Sequence, residues 1–231
     1  MFGPVQPTAY DLQFSLLGIP VRVLPWFWLT SVLLGFDTLQ IGPEYLLAWV
    51  GIVFVSILVH EFGHATVAAL FGYPPRIFLY HFGGLAMYAP GYNYTQGKSI
   101  LISLAGPGAG FLVGGAVSLL ISPLIGWGVV APPQQGWTLS SFIVEQLLYV
   151  NIWWGVVNLL PVLPLDGGNI CRDVCTSMSP RQGERWAVAI GLATAAAVAV
   201  WAFRNGQTYI AILFGFMALQ NFEQLQRRRH W

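Results

Sequence analysis

His60-Glu61-Phe62-Gly63-His64 sets two histidines and a carboxylate inside a run, Tyr45–Phe71, that is otherwise almost wholly apolar. The pattern reads H-E-x-x-H. On a helix, residues four apart stack on one face about 6 Å apart, so the two imidazoles can share one metal ion. Glu61 falls beside that face, where it can take a proton from a water molecule. Each of these groups is costly in an apolar helix: a carboxylate at membrane depth costs about 2.5–3.5 kcal/mol on insertion scales. A bound cation offsets that cost. The competing reading is a buried histidine pair held by hydrogen bonds. The chain has only four histidines and two of them fall in this motif, which favours the metal.

A catalytic zinc usually takes three protein ligands and keeps one position for water. Asp166 is the first candidate for the third ligand. It stands between Pro164 and Gly167-Gly168, in a break where irregular backbone can turn a side chain inward. Its alternative role is to cap a short helix over residues 169–180. His81 is the second candidate ligand. Glu145 reads as a solvated or packed residue near a span end. A zinc ion would make a water acidic enough to attack at neutral pH and would polarise a carbonyl; Glu61 would serve as the base and then return the proton to the leaving group. Asn158, eight residues before Asp166, is a candidate for oxyanion or substrate-backbone contacts, or equally for a helix–helix hydrogen bond. For Asn151, two turns earlier, the helix–helix bond is favoured. Cys171 and Cys175 read as small buried side chains on one helix face.

These residues must be positioned by a membrane protein. Of 231 residues, 56% are apolar and 8% charged, against about 25% charged in an average soluble domain; the mean hydropathy is +0.64. The expected fold is all-α and polytopic, one membrane-embedded domain over residues 1–231. Six transmembrane helices are expected at about 24–36, 45–71, 99–121, 139–160, 186–203 and 209–222, with a small membrane-associated β-hairpin at 76–96. Residues 17–23 form a short strand or an extended lead-in. Trp26, Phe27 and Trp28 suit an interfacial belt. Gly72-Tyr73-Pro74-Pro75 should end the second span, and the small residues Gly106 to Gly110 should let the third span approach the second. Residues 122–138 read as a Pro/Gly loop. The net charge of +1 offers no basic field for nucleic acid, and Met1–Gln13 has no signal-peptide pattern.

Six spans put both termini on one side. With that side cytoplasmic, nine of the ten basic residues lie inside, among them Arg227, Arg228 and Arg229, and only Arg204 lies outside. The histidines then sit roughly 12–18 Å below the cytoplasmic end of their helix. The aromatic stretch Arg76–Phe82, followed by Gly83-Gly84 and Leu85–Gly91, reads as a β-hairpin with a glycine break. An open sheet edge is not tolerated in lipid, so the hairpin belongs at the interface or in a protein cavity.

His60-Glu61-Phe62-Gly63-His64 together with Asn158-Leu-Leu-Pro161-Val-Leu-Pro-Leu-Asp166-Gly167 resembles the site-2 protease family of intramembrane zinc metalloproteases, which carries H-E-x-x-H on one span and N-x-x-P-x-x-x-x-D-G on another. The Gly-Ile-Pro-Val-Arg-Val lead-in, Phe82-Gly83-Gly84 and Ala105-Gly106-Pro107 are similar to the family as well. The resemblance covers about residues 15–170. It implies one zinc ion per chain held by His60, His64 and Asp166, with Glu61 as the catalytic base and Asn158 in substrate handling. It also implies a substrate that is a single-span membrane-anchored regulator, cut in or near its transmembrane helix. The location it implies is the inner membrane of a prokaryote. The hairpin, with Gly83 and Gly84, is a candidate for binding the unwound substrate by strand addition. The chain resembles a compact form without a PDZ or nucleotide-sensing domain, so control would come from a membrane partner or prior trimming of the substrate. Two other readings compete: a zinc transporter, and an inactive relative that escorts membrane helices.

Overall fold

The computed structural model describes residues 8–81, 83–128, 130 and 138–227. Phe82, Arg228, Arg229, the first seven residues and most of the loop 127–138 lie outside the described residues. Two compact units emerge: Met1–Gly91 with Ala105–Gly155, and Tyr92–Leu104 with Val156–Trp231.

The first unit opens with two strands, β1 (Leu12–Leu16) and β2 (Ile19–Val23), joined by Leu17 and Gly18. Both linking residues have positive φ, 51° and 80°, as a tight two-residue hairpin turn requires. Helix α1 (Pro25–Leu34) follows, with proline in its first turn, then a 3₁₀ turn over Phe36–Gln40. Helix α2 (Pro43–Leu70) is 28 residues long, about 42 Å at 1.5 Å per residue. Gly72 ends it with φ of 81°. The Tyr73 N–H donates to Ala68 O and the Gly72 N–H to Ala69 O, both at 2.9 Å. These bonds satisfy carbonyls that the helix would otherwise leave open.

The chain then turns back on α2 as β3 (Pro75–Tyr80) and β4 (Gly83–Tyr88). The expected hairpin is present, but it ends at Tyr88 and does not stand alone. The sheet has four strands in the order β1-β2-β3-β4. β2 and β3 pair in parallel, with Val21 opposite Ile77 and Val23 opposite Leu79; the outer pairs are antiparallel. Strand alternation sends Ile19, Val21, Val23, Ile77 and Leu79 to one face, where they meet Phe27, Val53, Ile57 and Ala65. Within the hairpin only β4 is an edge strand; β3 is paired on both sides.

Helix α3 (Gln96–Gly126) runs five residues past the expected end of the third span and carries Pro107 and Pro123 within it. Helix α4 (Leu139–Asn158) ends at the expected proline break. The second unit holds α5 (Asp166–Met178), α6 (Gly183–Arg204) and α7 (Thr208–Arg227). Its core forms around Val162, Ala195 and Phe214.

Among the described residues, α2, α3 and α6 are long and apolar enough to cross a membrane. Each of the six expected stretches contains a helix, but α1 has only ten residues. That is about 15 Å of helix, half the hydrocarbon thickness. Helices α4 and α7 reach 20 residues, with Glu145, Asn151, Asn221 and Glu223 diluting their apolar character.

Candidate metal centre

Ser56, His60 and His64 lie four residues apart along one face of α2, and all three are buried. His60, Glu61 and His64 are only 7%, 5% and 7% exposed. The two Nε2 atoms are 3.2 Å apart. The rings meet nearly edge to face, with centroids 4.8 Å apart. Two nitrogens bound to one tetrahedral zinc at 2.0–2.1 Å stand about 3.3 Å apart, so the pair has the bite that zinc needs. Glu61 brings a carboxylate oxygen into the same group: the three ligand atoms lie within 4.8 Å of one another. The residues present therefore fit a zinc ion, with two imidazoles aimed at one point and an acid beside them.

Three glycines on three elements make room for this group. A Cβ on Gly106 of α3 would come closer than 3.0 Å to Nε2 of both histidines. One on Gly84 of β4 would come equally close to Cγ, Cδ and Oε1 of Glu61. One on Gly63 would strike the carbonyl of Ala105. The small residues of α3 thus do bring it against α2, as expected from sequence. What sequence reasoning missed is that Gly106 faces the Nε2 atoms of both histidines. Its signal was present, a glycine beside Pro107 in a long helix, but nothing in the chain order tells which helix it meets. Gly83 differs: its φ of 124° demands glycine, while a Cβ there would meet only Trp154, at 3.9 Å.

Asp166 begins α5 in the second unit; the cap position is taken by Leu165, so Asp166 is a first-turn residue and not the cap. Gly167 and Gly168 are needed where they stand. A Cβ on Gly167 would strike the carbonyls of Leu159 and Leu160, and one on Gly168 would strike the backbone of Val162 and Leu163. Asn158 closes α4 and is 8% exposed. His81 is exposed in the turn after β3, set edge-on to Tyr80 at 5.3 Å, and is not part of the grouped ligands. Glu145 is exposed. Asn151 makes the expected helix–helix bond, its Nδ2 donating to Ser56 Oγ at 2.9 Å. Cys171 and Cys175 are free, with sulfurs 4.0 Å apart; burial, then its neighbour, pushes the Cys171 thiol up to about 11. Burial, and then the nearby Glu61 carboxylate, raises the Tyr80 phenol above its usual range.

Comparison with known proteins finds similar metalloproteases. Residues 128–198 match Peptidase family M50. A Synechocystis protein with a conjectural zinc-metalloprotease name is 29% identical over 219 residues, 90% of this chain and 52% of that protein. A zinc metalloprotease of Methanocaldococcus jannaschii is 27% identical, over 70% of this chain and 44% of its own length. The stage IV sporulation protein FB of Bacillus subtilis is 26% identical, over 93% and 69%. The chain spans about half the length of the first two relatives. Among solved structures, a site-2 protease from Methanocaldococcus jannaschii superposes with a TM-score of 0.62 at 23% identity, over 94% of this chain and 95% of that one. The chain has the fold of a site-2 protease. In sequence it is similar to the zinc metalloproteases of Peptidase family M50.

Proposed function

We propose that this chain is an intramembrane zinc endopeptidase that cuts a membrane-anchored protein in or near its transmembrane helix. The observation that carries the proposal is the buried pair of Nε2 atoms 3.2 Å apart with Glu61 beside them. His60, His64 and Asp166 hold one zinc ion in this reading. When bound, zinc supplies Lewis acidity, bringing the pKa of a water toward ~7 and polarising the scissile carbonyl. The Glu61 carboxylate takes the proton of the attacking water and delivers it to the leaving amide nitrogen. Its low exposure keeps that proton from bulk solvent. Asn158 donates to the substrate backbone or to the developing oxyanion.

A peptide bond in a helix is already hydrogen-bonded, so the substrate must unwind before it is cut. Strand β4, which ends the sheet among the described residues, offers it a strand partner. Gly84 on that strand touches Glu61, so an added strand would run beside the base; Gly83 opens the same strand. Strand addition was expected anywhere in residues 76–88. Because β3 is interior, prolines along Arg76–Tyr80 would break the sheet itself, and the test moves to β4. Six spans with both termini cytoplasmic, in a prokaryotic inner membrane, fit the distribution of basic residues. The substrate is a single-span regulator, and a membrane partner or prior trimming controls access.

Among the described residues, one group of three potential ligands forms, which suits one catalytic centre better than a transport path. An inactive escort would have no need of a buried Glu61. The test is to purify wild type and Glu61→Gln, measure bound zinc, and assay both on a transmembrane substrate. A protease retains zinc and loses cleavage in the variant. Equal cleavage by both removes Glu61 from the mechanism.

A further inference from the structure

In the loop between α4 and α5, the N–H groups of Leu159, Leu160, Val162 and Leu165 bond to nearby backbone carbonyls, while the Leu163 carbonyl takes its donor from a side chain. Pro161 and Pro164 carry no N–H. The Val162 N–H donates to Leu160 O at 2.7 Å and the Leu165 N–H to Val162 O at 2.8 Å. Leu163, between them, is only 9% exposed, and a buried carbonyl needs a donor. That donor comes from α7: Asn221 Nδ2 lies 2.9 Å from Leu163 O and also donates to Met217 O at 2.8 Å. Asn221 is 0% exposed. Gly191 of α6 comes so near that a Cβ on it would lie 2.7 Å from Asn221 Oδ1 and 3.3 Å from Pro161 O. Val162, also 0% exposed, packs with Ala195 and Phe214 of the same two helices.

A buried amide in an apolar core is unfavourable unless its hydrogen bond is needed. A leucine of similar size would fill the site if only filling mattered. Here the amide holds a carbonyl three residues before Asp166, on a loop that Gly167 and Gly168 press against from the other end. Asn221 also lies outside residues 128–198, the part that matches the family.

We propose that Asn221 is a positioning residue for Asp166: it fixes the loop backbone from which that carboxylate projects, and so tunes metal affinity from α7. The inference rests on reading Asp166 as a metal ligand. The test is a double-mutant cycle on the purified full chain, with zinc affinity read by competition against a chromogenic chelator. Asn221→Leu should weaken zinc binding about tenfold, the lower end of what supporting partners of metal ligands contribute. Asp166→Ala should weaken it further, and Asn221→Leu added to Asp166→Ala should change nothing more. If the two losses add, Asn221 acts on the fold in general and the proposal fails. If Asp166→Ala weakens binding and Asn221→Leu does not, the proposal fails while the ligand reading stands. If Asp166→Ala leaves binding unchanged, the ligand reading fails and takes this proposal with it. Should Asn221→Leu not fold, Asn221→Ser enters the same cycle.

Discussion

Gly84 of β4 touches the side chain of Glu61: a methyl group at Gly84 would fall closer than 3.0 Å to its Cγ, Cδ and Oε1. The sheet therefore sets where the proposed base can stand. Strand β4 is held along its length by pairing with β3, from Gly83 opposite Tyr80 to Tyr88 opposite Pro75, and β3 is in turn paired on both sides with Ile77 and Leu79 buried against α2. Gly84→Ala must therefore displace Glu61. A displacement of about 1 Å at a reacting group costs about 10²-fold in rate. The expected outcome is a fall of that order in kcat with zinc content unchanged. A silent Gly84→Ala would separate Glu61 from the chemistry.

Gly106→Ala should act on the metal instead. Its Cβ would intrude on both Nε2 atoms, whereas a Cβ on Gly108, two residues on in the same helix, meets nothing within 4 Å. Zinc affinity should fall about tenfold or more in Gly106→Ala and stay at the wild-type value in Gly108→Ala. Metal analysis of the two purified variants makes the comparison, with Gly108→Ala controlling for the added methyl group in α3.

The β4 edge can be tested with proline, which removes one N–H. Along a strand, successive residues point their N–H groups to opposite sides. Of Leu85 and Ala86, one therefore faces β3 and the other the open edge. One of Leu85→Pro and Ala86→Pro should abolish cleavage of a transmembrane substrate while retaining zinc and thermal stability. Full cleavage by both variants would exclude strand addition there.

Asn151 is predicted to matter for stability and not for metal. Its Nδ2 ties α4 to Ser56, one turn before His60. Hydrogen bonds between helices in membranes contribute about 0.6–1.7 kcal/mol. Asn151→Ala should lower the unfolding temperature in detergent by a corresponding few degrees and leave zinc affinity intact.

At the start of the sheet, Asp11 accepts hydrogen bonds from the N–H and hydroxyl of Thr8 at 3.0 and 2.6 Å and pairs with Arg22. The Thr8 bonds first, then Arg22, hold its carboxyl below the usual 3.8. A carboxyl that is more acidic when folded stabilises the fold at pH values above its unfolded pKa, and that contribution is lost as pH falls through the folded value. Asp11→Asn should lower the unfolding temperature at pH 7, and the difference from wild type should shrink as pH falls below about 4, where the wild-type carboxylate is protonated as well.

Much of this was legible from the chain. The H-E-x-x-H spacing works because four residues make one helical turn, and α2 is a continuous helix through it. The Gly72-Tyr73-Pro74-Pro75 stop and the break before Asp166 follow from proline and glycine chemistry. The four-stranded sheet was not legible, because β2 and β3 pair across the whole of α1 and α2, and β1 is too exposed to show a buried alternation. Gly84 and Gly106 could be seen as glycines but not as neighbours of Glu61 and the histidines. Close approach between elements is a property of the fold and leaves no local pattern. Helix α1 is shorter than the expected 24–36 because Gly35 and the 3₁₀ turn over Phe36–Gln40 end it, a stop that the apolar sequence does not announce.

The central claim is that His60 and His64 hold a zinc ion on which peptide hydrolysis depends. Its most direct test strips the purified wild-type protein with a chelator and titrates zinc back while cleavage of a transmembrane substrate is followed. Cleavage should vanish on stripping and return in full at about one zinc per chain, the number one tetrahedral site accepts. Cleavage that survives the loss of metal would contradict it, as would restoration in a His60→Ala, His64→Ala variant.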